Sequence, residues 1–122
     1  MNVAINDQRK IFAIQEEFNE VFPYLKLEFF SKPHSACIGS PKKLIKHSSK
    51  TLGECRTIHN KGIITIVPQM TVCDLEQNFS NVYGLGVQIF RKSGKAWLET
   101  TVTDGWTLEM QNAQGLELSK SA

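Results

Sequence analysis

The sequence predicts an α+β domain built from two similar β-α-β units. A self-similarity at constant offset, a switch of apolar period inside each matched segment, and capping residues at the switch points all lead there. Val3 to Val21 matches Ile64 to Val82 at an offset of 61 residues. Within it, Val3 and Ile5 match Ile64 and Ile66 at strand spacing, while Ile11, Ile14, Phe18 and Val21 match Val72, Leu75, Phe79 and Val82 on one helix face. One residue of gap at Tyr24 then aligns Leu25, Leu27, Phe29, Phe30 and Lys32 with Leu85, Val87, Ile89, Phe90 and Lys92. Each half, 1–30 and 63–92, is therefore strand, helix, strand, and the order β-α-β-β-α-β is that of the ferredoxin-like plait, one four-stranded antiparallel sheet with both helices on one face.

The first helix is expected over 8–22, capped by Asp7 and ended at Pro23. The second is expected over 72–83, capped by Thr71 and ended at Gly84, since short polar side chains satisfy the first N–H groups and glycine tolerates the left-handed turn. After the second half, Lys92-Ser93-Gly94-Lys95 marks a turn into an added strand, Ala96 to Val102. Thr107 then opens a short helix, Leu108 to Ala113, stopped by Gly115; the remaining residues read as a frayed end.

Chain length and composition support one folded unit. The 122 residues fit a single core, and 41% hydrophobic with 21% charged residues excludes a disordered or collagen-like chain. The N-terminus lacks a basic segment leading into an apolar run, and no stretch approaches the roughly 20 apolar residues that span a bilayer. Neither export nor a membrane is expected. Three cysteines, Cys37, Cys55 and Cys73, are an odd number without framework spacing, which suits free thiols and a cytoplasmic setting. Cys73 is expected in the core.

Between the halves, residues 31–62 far exceed a hairpin connection, and loops beyond roughly 12–15 residues are functional or disordered more often than shorter ones. This insert holds His34, His47 and His59, two of the three cysteines, and seven basic residues against the single acid Glu54, although the whole chain carries only +2. The basic set reads first as a solvated loop. Its functional reading is an anion site in which Lys42, Lys43, Lys46 and Arg56 neutralise phosphates of nucleic acid or a phosphorylated ligand. The insert lacks base-stacking aromatics, and Gly39-Ser40-Pro41-Lys42-Lys43 lacks phosphate-loop spacing.

His34, Cys37, Cys55 and His59 supply the two imidazoles and two thiols that tetrahedral zinc accepts, without the Cys-x-x-Cys spacing that marks such sites. If Thr51 with Glu54 forms a capping box, Cys55 and His59 lie one turn apart on a short helix and could face one ion. No cofactor is expected other than this zinc. A Cys37 or Cys55 nucleophile with a histidine base is the one enzymatic arrangement the composition offers. No catalytic residue is assigned, because nucleophile-elbow, zinc-protease and dinucleotide motifs are absent.

Strand alternation yields one more surface. With Leu25, Leu27, Phe29, Val87 and Ile89 facing the helices, Phe30 and Phe90 point to the opposite face, where Trp97 of the added strand joins them. An aromatic patch on a bare sheet face marks a partner surface. The expected function is a non-enzymatic binding domain that forms homo-oligomers through this face, unless the Trp106 segment and the last helix fold back over it.

Overall fold

A computed structural model describes residues 1–30 and 49–120 of the chain. The order is β1 (Asn2–Ile5), α1 (Ile11–Val21), β2 (Leu25–Phe29), α2 (Leu52–Cys55), β3 (Gly62–Thr65), α3 (Val72–Tyr83), β4 (Val87–Ser93), β5 (Ala96–Glu99) and α4 (Leu108–Lys120). The fold is α+β with two antiparallel sheets among the described residues. No described helix is long and apolar enough to cross a membrane.

Among the described residues the strands lie in two sheets and not in the single four-stranded sheet of a plait. β1 pairs with β3 in one ribbon, and β2-β4-β5 form a separate sheet. A plait requires β2 to turn directly into β3. More than thirty residues separate these strands, so no tight hairpin enforces their pairing, and β2 instead lies against β4 from Leu25↔Arg91 to Phe29↔Val87. Glu28↔Gln88 lies within this ladder, and Val3↔Ile64 lies within the β1–β3 ladder. Each strand of the first half thus pairs with the strand that matches it in the second.

Periodicity explains the core. Ile11, Ile14 and Phe18 of α1 and Val72, Leu75 and Phe79 of α3 recur at steps of three and four and are buried, meeting Leu25, Leu27, Phe29, Val87 and Ile89 from alternate strand positions. Phe79 meets Phe29 edge to face, their centroids 6.0 Å apart, and Phe18 packs on Phe22 at 5.2 Å.

α3 begins and ends as expected. Thr71 Oγ1 accepts from the Asp74 N–H at 3.0 Å, and Gly84 closes the helix at φ 63°, in the left-handed region. The β4–β5 hairpin turns through Gly94 at φ 61°. α1 starts later than expected, at Ile11 with Lys10 as its N-cap residue, because the Asp7 carboxylate pairs elsewhere. β5 ends at Glu99, after which Thr100 turns inward and its hydroxyl donates to the Ile89 carbonyl at 2.9 Å.

The last helix is also longer than expected. α4 continues through Gly115 to Lys120, and Gly115 acts as a point of close approach: a Cβ there would lie 2.7 Å from Tyr24 Cβ. Leu108 enters the core, while the Gln111 amide donates to the Thr103 carbonyl and accepts from Arg91. Arg91 lies opposite Leu25, so α4 packs on the same sheet face as α1 and α3.

Candidate functional site

The described end of the insert is tied down by backbone bonds. The Leu52 N–H donates to the Arg9 carbonyl at 2.9 Å, and the Ile11 N–H donates to the Lys50 carbonyl at 3.0 Å. The Thr51–Glu54 capping box forms as the sequence predicts. Gly53 permits the approach, since a Cβ there would stand 2.9 Å from Asp7 Cβ.

Arg56 and His59 follow α2 and converge on Asp7 in the β1–α1 connection. Asp7 Oδ1 accepts from Arg56 Nε at 3.2 Å and Nη2 at 2.9 Å, while Oδ2 lies 2.8 Å from His59 Nδ1. Arg56 Nη1 donates to the Tyr83 carbonyl at 2.9 Å, at the end of α3. The Arg56 side chain is wholly buried, whereas His59 is half exposed. Burial pushes the Asp7 carboxyl up, but hydrogen bonds from Arg56 and His59 and their charges outweigh it, leaving the group below its ordinary value.

This geometry corrects the placement of Arg56 on a solvated basic face. Its donors are engaged inside the protein, where an unpaired guanidinium would be costly. Lys42, Lys43 and Lys46, the other proposed anion ligands, lie outside the described residues.

The zinc set is likewise divided. His34 and Cys37 lie outside the described residues, and no group of three or more metal-ligating side chains occurs among the described ones. Cys55 ends α2 and His59 stands beyond it, so the two do not share a helical turn. Burial pushes the Cys55 thiol up, away from the thiolate that binds metal or attacks a substrate. Asp7 orients the His59 ring, as carboxylates do in general-base pairs. Among the described residues, however, no hydroxyl or thiol hydrogen-bonds its other nitrogen. The cluster's evident work is to clamp the insert's end to the β1–α1 connection and to α3.

The cysteine expectation also changes. Cys55 is free, but Cys73 is disulfide-bonded. Cys73 lies in the first turn of α3 and is half-buried, which corrects its expected place in the core. The expectation of a free thiol is therefore corrected at Cys73.

The second candidate is the sheet face opposite the helices. Alternation along β2, β4 and β5 places Lys26, Glu28, Gln88, Phe90, Lys92, Trp97 and Glu99 there. Phe30 extends the row but is 3% exposed and Gln88 2%, so this end of the face is closed. Phe30 is thereby corrected from an association residue to a buried one. At the other end Phe90 and Trp97 are half-buried, and Lys26 Nζ stands 5.5 Å from the Phe90 ring and 5.1 Å from the Trp97 ring. Lys26 also lies 3.4 Å from Glu28.

The helical fold-back does not cover these rings, because α4 packs on the other face. Trp106 instead lies over Arg91, 5.7 Å from its guanidinium carbon. Beyond the β2 edge, a groove of about 350 Å³ runs from Phe12 of α1 to Trp97. There the Gln15 amide donates to the Leu27 carbonyl and the Asn19 amide to the Leu25 carbonyl, each at 2.9 Å, covering part of the edge. Sequence alternation found Phe90 and Trp97. It missed the Asp7 cluster, in which Arg56 and His59 lie 49 and 52 residues from Asp7 along the chain.

Comparison with known proteins gives no match to a protein-family model, a curated sequence or a solved structure.

Proposed function

We propose that this chain is an interaction domain that associates with a second copy of itself through the open face of the β2-β4-β5 sheet. The observation that carries the reading is that no described helix packs over the Phe90–Trp97 end of the second sheet face. α1, α3 and α4 lie against one face, while Phe90 and Trp97 remain half-buried on the other under the Lys26 ammonium. Aromatic side chains bring large apolar area to an interface at low entropic cost.

The charges suit a second copy. Lys26 and Lys92 share the face with Glu28 and Glu99, so a two-fold arrangement can set opposite signs together without leaving an excess of either. The same proposal treats the two β-α-β halves as an internal repeat, a reading supported by the pairing of matched strands in both ladders.

Changing Phe90 and Trp97 together to Ser is expected to give a folded chain of lower mass by light scattering, with circular dichroism close to the parent. Neither ring belongs to the helix-side core. A parent that is monomeric at every concentration, or a double variant that associates like the parent, would remove the reading.

A further inference from the structure

We infer that the outer edge of β3 is a second, independent contact between copies of this chain, in which Lys61 of one copy reaches Asp74 of the other. In the β1–β3 ribbon, Met1 and Ile66 exchange both backbone hydrogen bonds, at 2.8 Å each. By alternation Val3↔Ile64 and Ile5↔Gly62 are also hydrogen-bonded pairs, so the backbone groups of Ile63 and Thr65 point away from β1. The Tyr83 hydroxyl reaches the Ile63 carbonyl at 3.5 Å, while the Ile63 N–H and both Thr65 backbone groups have no partner among the described residues.

Among the described residues the edge lacks the usual protection against strand addition. Gly62 to Val67 contains no charged residue or proline, and Ile63 is 64% exposed. β2 presents the contrast, with two of its edge carbonyls already covered by Gln15 and Asn19. Beside the β3 edge, Asn78 and Val82 of α3 form a shallow groove with Ile63, Ile64 and Thr65. Asp74 continues that row one turn toward the helix N-terminus.

Charge selects the second copy as occupant. Antiparallel addition about a two-fold axis at Ile64 sets Ile63 opposite Thr65 of the partner. It also carries Lys61, before the strand, toward the far end of the other copy's β3, beside the α3 N-terminus where Asp74 lies. Lys61 and Asp74 are both exposed, and neither is in an ion pair within the described chain. The symmetry produces the Lys61–Asp74 approach twice, and the neutral strand between adds no repulsion.

The test is a charge exchange, read by sedimentation of the full chain at low salt. Lys61→Asp and Asp74→Lys are each expected to weaken association about tenfold, as two attractive pairs become two repulsive ones. The chain carrying both changes should return to within about threefold of the parent. Loss of a favourable charge at the α3 N-terminus cannot mimic this recovery, because the doubly changed chain retains that loss. A doubly changed chain no stronger than the singly changed ones would overturn the inference.

Repeating the series with Phe90→Ser and Trp97→Ser in place separates this edge from the sheet face. The edge contact is expected to persist in that chain and to respond to the exchange in the same way. If that chain stays monomeric at every accessible concentration, the edge contact is wrong while the face contact stands.

Discussion

Replacing Phe79 by Ala is expected to destabilise the fold by roughly 3–5 kcal/mol, the range for removing a buried phenyl ring. Phe79 is fully buried and packs edge to face on Phe29, so its loss opens a cavity between α3 and β2 rather than at an edge. Phe18 holds the matching position on α1, against Phe22, and its replacement by Ala should cost a similar amount. Urea melts of both variants decide the matter through their midpoints. A variant melting with the parent would show that the matched core position on that helix carries no packing load.

The second large effect is expected at Arg56. Replacing it with Ala should cost about 2–4 kcal/mol, since the change empties a buried site and strips the Tyr83 carbonyl of its donor. His59→Ala should cost far less, because that ring is half exposed and gives Asp7 a single contact.

Acid titration reads the same cluster. The Asp7 carboxyl is lowered in the fold, so its contribution is present above the unfolded value near 3.8 and is lost as pH falls through the folded value. The parent's acid-side loss should therefore shrink in Asp7→Asn. Equal melting of the Arg56→Ala and parent proteins would mean that the clamp is incidental to folding.

What was legible in the sequence was local. Period changes at Val3–Val21 and Ile64–Val82 mark strands and helices, Thr71 and Gly84 bound α3, and Thr51 with Glu54 announces the capping box around α2. These features depend on neighbours within a turn or two. The pairing of β2 with β4 depends on contacts some sixty residues apart, and the long insert removed the hairpin that would have made the plait inevitable.

Gly115 shows a different limit. A glycine near the end of an apolar period is commonly a stop, whereas here it is the place where α4 meets the Tyr24 backbone. Asp7 was legible as a cap because Asp is a good one. Its actual partners, Arg56 and His59, carry no sequence signal linking them to it. On the sheet face, alternation identified Phe90 and Trp97 correctly as outward residues. It placed Phe30 with them by the same rule, yet direction along a strand does not determine what else packs on that face.

The most direct test of association through the sheet face is the fluorescence of Trp97 followed against protein concentration. The chain has two tryptophans, so Trp106→Phe leaves Trp97 as the sole reporter and keeps an aromatic ring for Arg91. With rising concentration the emission is expected to move to shorter wavelength and to become less accessible to a soluble quencher, in step with the mass measured by light scattering. Emission that stays constant while the mass rises would place the contact elsewhere on the molecule, and would contradict the assignment of Phe90 and Trp97 to an interface.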